Sequence, residues 1–195
     1  MRKWKTVIFC MIFVGVLILA GICINHKNSN AKNNTEKKVI TGEGMWPAYT
    51  FSSAVDEAVT IVYGKVLGKS DTKVHQVAYV NGQSHNEYYK EVSIEVINIL
   101  KGNMDETTVT YLEFGGETED VIYIFDDIES VERDGEYIFF LNEYGAALSP
   151  MTLLPVDDNT VLTQGKIKPE SEVSTLTTEI SVESYLSAIE SALGV

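Results

Sequence analysis

Two histidines, His75 and His85, flank an Asn81-Gly82 pair. Imidazoles brought together across a hairpin are a common start for a transition-metal site. Asn-Gly between two β-rich runs is a hairpin signature, because both central positions of the tight turn take positive φ. With a two-residue loop, paired positions sum to 163, so His75 faces Tyr88 and His85 faces Ala78. Positions 75 and 78 differ by an odd number, which sends the imidazoles to opposite faces and denies them a shared metal. His26 lies far away, in a polar stretch.

The segment from Glu113 to Glu136 holds ten acidic residues, with Arg133 as its one base. Paired carboxylates do acid and base work when an apolar cleft encloses them, and nothing in this stretch signals enclosure. The spacing of DDIESVERDGE also departs from the calcium-loop pattern. A solvated acidic loop is expected, with Asp126, Asp127 and Glu129 as ligands if a metal binds there.

GKVLGKS, from Gly64 to Ser70, imitates a phosphate-binding loop, but three residues separate its glycines where the motif needs four. Gly115-Gly116 reads as a corner where a strand lets go, since no helix comes after it to present amide groups to an anion. There is no G-x-S-x-G and no histidine with triad company. No catalytic, metal or cofactor-binding residue is therefore assigned, and no cofactor is expected. The chain reads as a non-catalytic binding module; the alternative is a hydrolase or calcium-binding protein using residues 113–136.

These residues must be positioned by a chain of 195 residues, whose first part is of a different kind. Val7 to Ile24 is an 18-residue run without a charge, preceded by Arg2, Lys3 and Lys5. That is the minimum for a membrane span. LAGIC carries Ile22 where a lipoprotein box has a small residue, and there is no A-x-A after it, which favours an uncleaved anchor over a removed signal peptide. Either way the basic residues hold the amino terminus inside and export the rest of the chain. Three parts are expected: an anchor helix over 1–25, a flexible polar stalk over 26–44, and an extracytoplasmic domain over 45–195.

Both cysteines, Cys10 and Cys23, fall in the apolar run, so the domain has no disulfide and must rely on its core. Beyond residue 40 there are eight Lys or Arg against 27 Asp or Glu, a formal charge of −19. Such a surface repels phosphate backbones and argues against nucleic acid as a partner. A bacterial cell membrane, with the C-terminal domain outside, is the expected location; the partners are the membrane, through the first helix, and a protein or envelope component.

Within the domain, Ser52 or Ser53 offers an N-cap to a short helix with Asp56 and Glu57 near its first turn. VTIVYGKVLGK is apolar on both alternating faces and predicts a strand buried on both sides. Past Val96 the apolar phase shifts to Ile97 and Ile99, which predicts a bulge or a strand that passes from edge to barrel interior. TTVTYLEF and EYIFFLNE are further strands, with weaker ones over 121–125, 148–154 and 160–163. Val182, Leu186, Ile189 and Leu193 recur at helical spacing, predicting a C-terminal helix over 181–193 capped by Ser181. Short strands between two helices describe a mainly β domain, closed or nearly closed into a small barrel.

Four segments, AVTIVYGKVLG, VSIEVINILKG, TVTYLEFGG and DGEYIFFLN, stand in the order and spacing of a known pattern. The region 50–165 resembles the netrin-like domain shared by tissue inhibitors of metalloproteinases and surface proteins of Gram-positive bacteria. The resemblance implies a five-stranded barrel of the oligonucleotide/oligosaccharide-binding (OB) type with helices beside it. Gly64, Lys101-Gly102 and Gly135-Glu136-Tyr137 would sit at its corners. The inhibitors place an amino-terminal cysteine on the protease zinc; with no cysteine in the exported part, that mechanism does not carry over. Tyr79, Tyr88 and Tyr89 on the hairpin are the candidate contact residues, because Tyr supplies large contact area at low entropic cost.

Overall fold

The long strand Thr60–Lys69 (β2) sits between two partners and separates two cores, which is why its sequence is apolar on both faces. The computed structural model describes residues 36–79, 82–125, 127–172 and 178–195. The apolar run at 7–24 and the first part of the expected stalk lie outside the described residues. Among those described, no helix is long and apolar enough to cross a membrane. Residues Lys37–Val195 form one compact unit.

The larger sheet is antiparallel and has eight strands. Beside β2 run Lys73–Ala78 (β3), Ser84–Lys101 (β4), Thr108–Phe114 (β5), Glu136–Leu141 (β8), Leu153–Asp157 (β9), Thr160–Leu162 (β10) and Glu179–Ser181 (β11). Its order is β11-β10-β9-β8-β2-β4-β3, with β5 on the other side of β4. A second sheet of three strands joins Lys38–Gly42 (β1), Gly116–Glu117 (β6) and Val121–Phe125 (β7), in the order β1-β7-β6. The architecture is mainly β, as expected, but the sheets do not close into a barrel: β11 ends the larger sheet instead of returning to β5.

The expected stalk included residues 38–42. They instead form β1, paired in parallel with β7 from Lys38↔Val121 to Gly42↔Phe125. The pattern K-V-I-T-G is too short and polar to announce a strand, and the pairing is supplied by a segment some eighty residues away. Lys37 anchors its start, its Nζ lying 2.5 Å from Glu117 Oε1 and 2.8 Å from Thr118 O.

Bulges bend β4 around β2. Ile99 pairs with Val62 and Lys101 with Ile61, leaving Leu100 extra; Asn98 pairs with Tyr63 and Val96 with Gly64, leaving Ile97 extra. Ile97 is thereby turned outward, 49% exposed. A bulge was expected here, but the apolar phase does not pass to Ile97 as the sequence suggested: the bulge pushes Ile97 out, and Leu100 is the buried residue beyond it. Gly115, between β5 and β6, and Gly116, the first residue of β6, adopt φ of 99° and 138°, so the pair is the corner expected of it.

One core holds Ile61, Tyr63, Ile138, Phe140 and Leu154 beneath two helices, Phe51–Glu57 (α1) and Val182–Leu193 (α2). The other holds Val62, Val66, Val92, Ile94, Tyr111 and Phe139 within the curve of the sheet. In α2, Ser181 caps by accepting from Ser184 N, and Gly194 ends the helix at φ 75°. Val182, Tyr185 and Ile189 are its buried residues. The Tyr185 hydroxyl, fully buried, donates to Ile167 O at 3.0 Å. Phe51 of α1 meets the Tyr185 ring edge-on at 5.6 Å.

The cap of α1 differs from expectation. Thr50 is the N-cap and Ser53 closes a capping box with it, while Asp56 and Glu57 fall at the C-terminal end and no acidic residue stands in the first turn. The helix starts at Phe51, one residue ahead of the serines. Ser52 serves a different contact, donating its backbone N–H and its hydroxyl to Glu170 Oε1 at 3.1 and 2.7 Å.

Candidate functional site

The hairpin β3–β4 sets the site. Its register runs from Lys73↔Tyr89 to Ala78↔Ser84, and Tyr79 N donates to Gln83 O at 2.7 Å. Three residues, 80–82, therefore separate the last pair, and Gly82 takes φ 79°. Asn81 itself lies outside the described residues. The extra loop residue moves every pair by one from the two-residue expectation. His75 opposes Glu87 and His85 opposes Val77, so both imidazoles share one face, which corrects the reading that they point apart. Even so, among the described residues no group of three or more His, Cys, Asp and Glu could hold a metal ion. His85 instead lies 3.3 Å, Nε2 to Oε1, from Glu87.

On that face the β4–β5 register adds Tyr89 beside Phe114 and Glu91 beside Leu112. Two further segments build a wall. Met45, Trp46 and Pro47 come down from β1, and Asn142 to Leu148 come after β8. The second segment is held by Asn142 Oδ1, which accepts from Tyr144 N and Ala146 N at 2.9 and 3.1 Å. Leu112 N then donates to Gly145 O at 2.8 Å, tying this loop to β5. Between them opens a groove of about 910 Å³, lined by Trp46, His75, Glu87, Tyr89, Phe114 and Tyr144 among others. Among the described residues no Lys or Arg belongs to its lining.

A smaller pocket of about 270 Å³ adjoins the groove through the shared residues Trp46, Glu87 and Phe114. Its other walls are His85, Tyr88, Tyr123 and Phe125. The aromatic rings brace one another: Trp46 and Phe114 stand 5.8 and 6.2 Å from Phe125, and Tyr88 stacks on Tyr123 at 5.2 Å. Trp46 Nε1 and His85 Nδ1 are buried with no hydrogen-bond partner among the described residues. Buried polar atoms of this kind are costly unless a water or ligand satisfies them.

The three hairpin tyrosines part company here. Tyr79 is 51% exposed and stacks on the His85 ring at 4.9 Å. Tyr89 is half-buried in the groove wall. Tyr88, expected to be an exposed contact residue, is 7% exposed. It alternates onto the same face as Val92 and Ile94, and β7 covers it with Tyr123.

The acidic segment is not one solvated loop. Glu113 is buried on the core side of β5 and accepts from Lys69 Nζ at 2.8 and 2.7 Å, from Ser130 Oγ at 2.9 Å and from Val131 N at 2.9 Å. The Tyr63 hydroxyl donates to Glu136, and burial together with that carboxylate pushes the Tyr63 phenol up to about 12. Lys37 holds the Glu117 carboxyl below its ordinary value. Of the expected metal ligands, Asp126 lies outside the described residues, Asp127 accepts from Gly44 N at 3.3 Å, and Glu129 pairs with Lys166 at 3.5 Å. Glu113 marks the strand face that enters the core, and an alternation count along TVTYLEF places it with Val109 and Tyr111.

No family model matches this chain, and no curated protein or solved structure matches it either. The site stands on its own geometry: two neighbouring cavities walled by aromatic rings, with Trp46, Phe114 and the carboxylate of Glu87 lining both. Trp46, Phe114, Tyr123, Phe125 and Glu87 carry no motif that marks them in the sequence. Trp46-Pro47 is visible there only as the start of the domain.

Proposed function

We propose that the protein is a membrane-tethered, extracytoplasmic binding module of a bacterial cell surface, without catalytic activity. The observation that carries this reading is the aromatic groove of about 910 Å³ on the β3–β4–β5 face. Concave, mostly apolar surfaces with a few convergent polar groups are the usual form of a ligand site, and exposed patches of this kind mark interaction surfaces. The basic start and apolar run at 7–24 support tethering with the domain outside. The acidity beyond residue 40 fits a soluble surface that does not take nucleic acid.

The netrin-like reading belongs to the same proposal. The order β5-β4-β2-β8-β9 and the bond from Leu112 N to Gly145 O across the open side support a partly open barrel of the OB kind. A hydrolase built on the acidic segment is disfavoured, because Glu113, Glu117, Glu129 and Glu136 are each engaged by a partner elsewhere in the fold.

Cosedimentation with isolated cell envelopes tests the binding role. The native chain pellets with envelopes, and Trp46→Ala combined with Phe114→Ala loses most of that association at unchanged folding. Equal pelleting of native chain and variant would overturn the reading.

A further inference from the structure

We infer that the pocket between Trp46, Tyr88, Phe114, Tyr123 and Phe125 is a binding site for an organic ammonium group, with Glu87 as its counter-charge. The inference rests on the binding-module reading and names the ligand class for its site. Five aromatic side chains converge on about 270 Å³, room for a trimethylammonium group. The faces of aromatic rings carry negative potential, and several rings around one cavity attract a cation whose charge is spread over methyl groups.

Charge complementarity points the same way. Among the described residues lining the pocket there is no Lys or Arg, and Glu87 is the carboxylate there. The Glu87 side chain is 41% exposed, so it remains free to turn one oxygen toward the pocket while the other meets His85. The domain around it carries a formal −19 beyond residue 40, which concentrates cations near its surface. The neighbouring groove shares Trp46, Glu87 and Phe114 with the pocket and offers a surface beside it for whatever the ammonium group is attached to.

A neutral apolar ligand of the same shape would fill the pocket but gain nothing from ring potential or from Glu87. Calorimetric titration of the full chain at pH 8 with choline and with its uncharged isostere, 3,3-dimethylbutan-1-ol, separates the two. Choline binds at least about tenfold more tightly than the isostere. Glu87→Gln weakens choline at least about threefold and leaves the isostere unchanged, whereas Trp46→Leu weakens both; near-ultraviolet circular dichroism checks that each variant is folded. Equal affinity for choline and isostere overturns the proposal while leaving a binding module in place. An unchanged choline affinity in Glu87→Gln overturns the role of that carboxylate. Binding of neither compound at tens of millimolar overturns the ammonium site, and the envelope experiment then decides the module reading separately.

Discussion

Lys69 Nζ lies 2.8 and 2.7 Å from the two carboxylate oxygens of Glu113, and the pair joins β2 to β5 across the whole width of β4. Neighbouring strands are about 5 Å apart, so the two backbones are about 10 Å apart and the long lysine stem covers the distance. Ser130 Oγ and Val131 N fill the remaining acceptor positions of Glu113 and bring the loop after β7 onto the sheet. The fold thereby closes one side of its second core with a charge pair instead of a strand.

Breaking this pair is costly, since the partner left behind is a buried charge. Lys69→Met is expected to lose about 3–5 kcal/mol of stability. Lys69→Met with Glu113→Leu recovers much of that loss, because two apolar side chains can pack where two desolvated charges stood. Urea unfolding followed by tyrosine fluorescence measures both; a loss under about 1 kcal/mol in the single variant would mean that the pair is solvated.

The hairpin register has a direct chemical test. With Cys10 and Cys23 replaced by Ser, Gln76→Cys/Asn86→Cys places two thiols at directly opposed positions. This pair oxidises readily to a disulfide detected by mass spectrometry. His75→Cys/Tyr88→Cys, which a two-residue loop would oppose, points its thiols to opposite faces and stays reduced.

Alkaline pH is expected to destabilise the domain. The phenols of Tyr63, Tyr111 and Tyr185 are all raised, chiefly by burial, that of Tyr63 to about 12. Their ordinary value in the unfolded chain is 10.0. Below that value both states hold the protons and the stability is complete; above it the unfolded chain releases protons that the folded chain keeps, so stability falls as pH rises through 10 toward 12 and beyond. Melting temperature against pH should decline across this window, and tyrosinate absorbance should rise in a late step that coincides with unfolding.

Docking of β1 is reported by Glu117. Its carboxyl is lowered first by the hydrogen bond from Lys37 and then by the charge of that lysine. Lys37→Met is expected to return the Glu117 titration to the ordinary carboxylate range in an NMR pH series, with little change in global stability, because the pair is exposed. No movement of the titration would show that Lys37 does not meet Glu117 in solution.

How far the sequence can be read depends on whether a signal is local. The capped helix over 182–193, the doubly buried β2 and the bulge at Ile97 each arise from a pattern contained in one short segment. The hairpin is visible too, yet its register turns on a single loop residue. That one residue decides whether His75 and His85 share a face, whereas the burial of Tyr88 follows from its alternation with Val92 and Ile94 along β4. Strand β1 cannot be read, because its partner β7 is supplied by distant sequence. The site is the least legible part: Trp46, Glu87, Phe114, Tyr123 and Tyr144 come from separate segments and meet only through tertiary pairing. The Glu113 pair is hidden for the same reason, its lysine being two strands away.

If the aromatic groove is the surface through which this protein meets its partner, binding must cover it. Hydroxyl-radical footprinting of the full chain, with and without isolated cell envelopes, tests it most directly. Oxidation of Trp46, Tyr89 and Tyr144 should fall when envelopes are present, while Met104, 62% exposed and absent from the groove lining, is oxidised as before. Unchanged oxidation of Trp46, Tyr89 and Tyr144, or protection of Met104 instead, would contradict it.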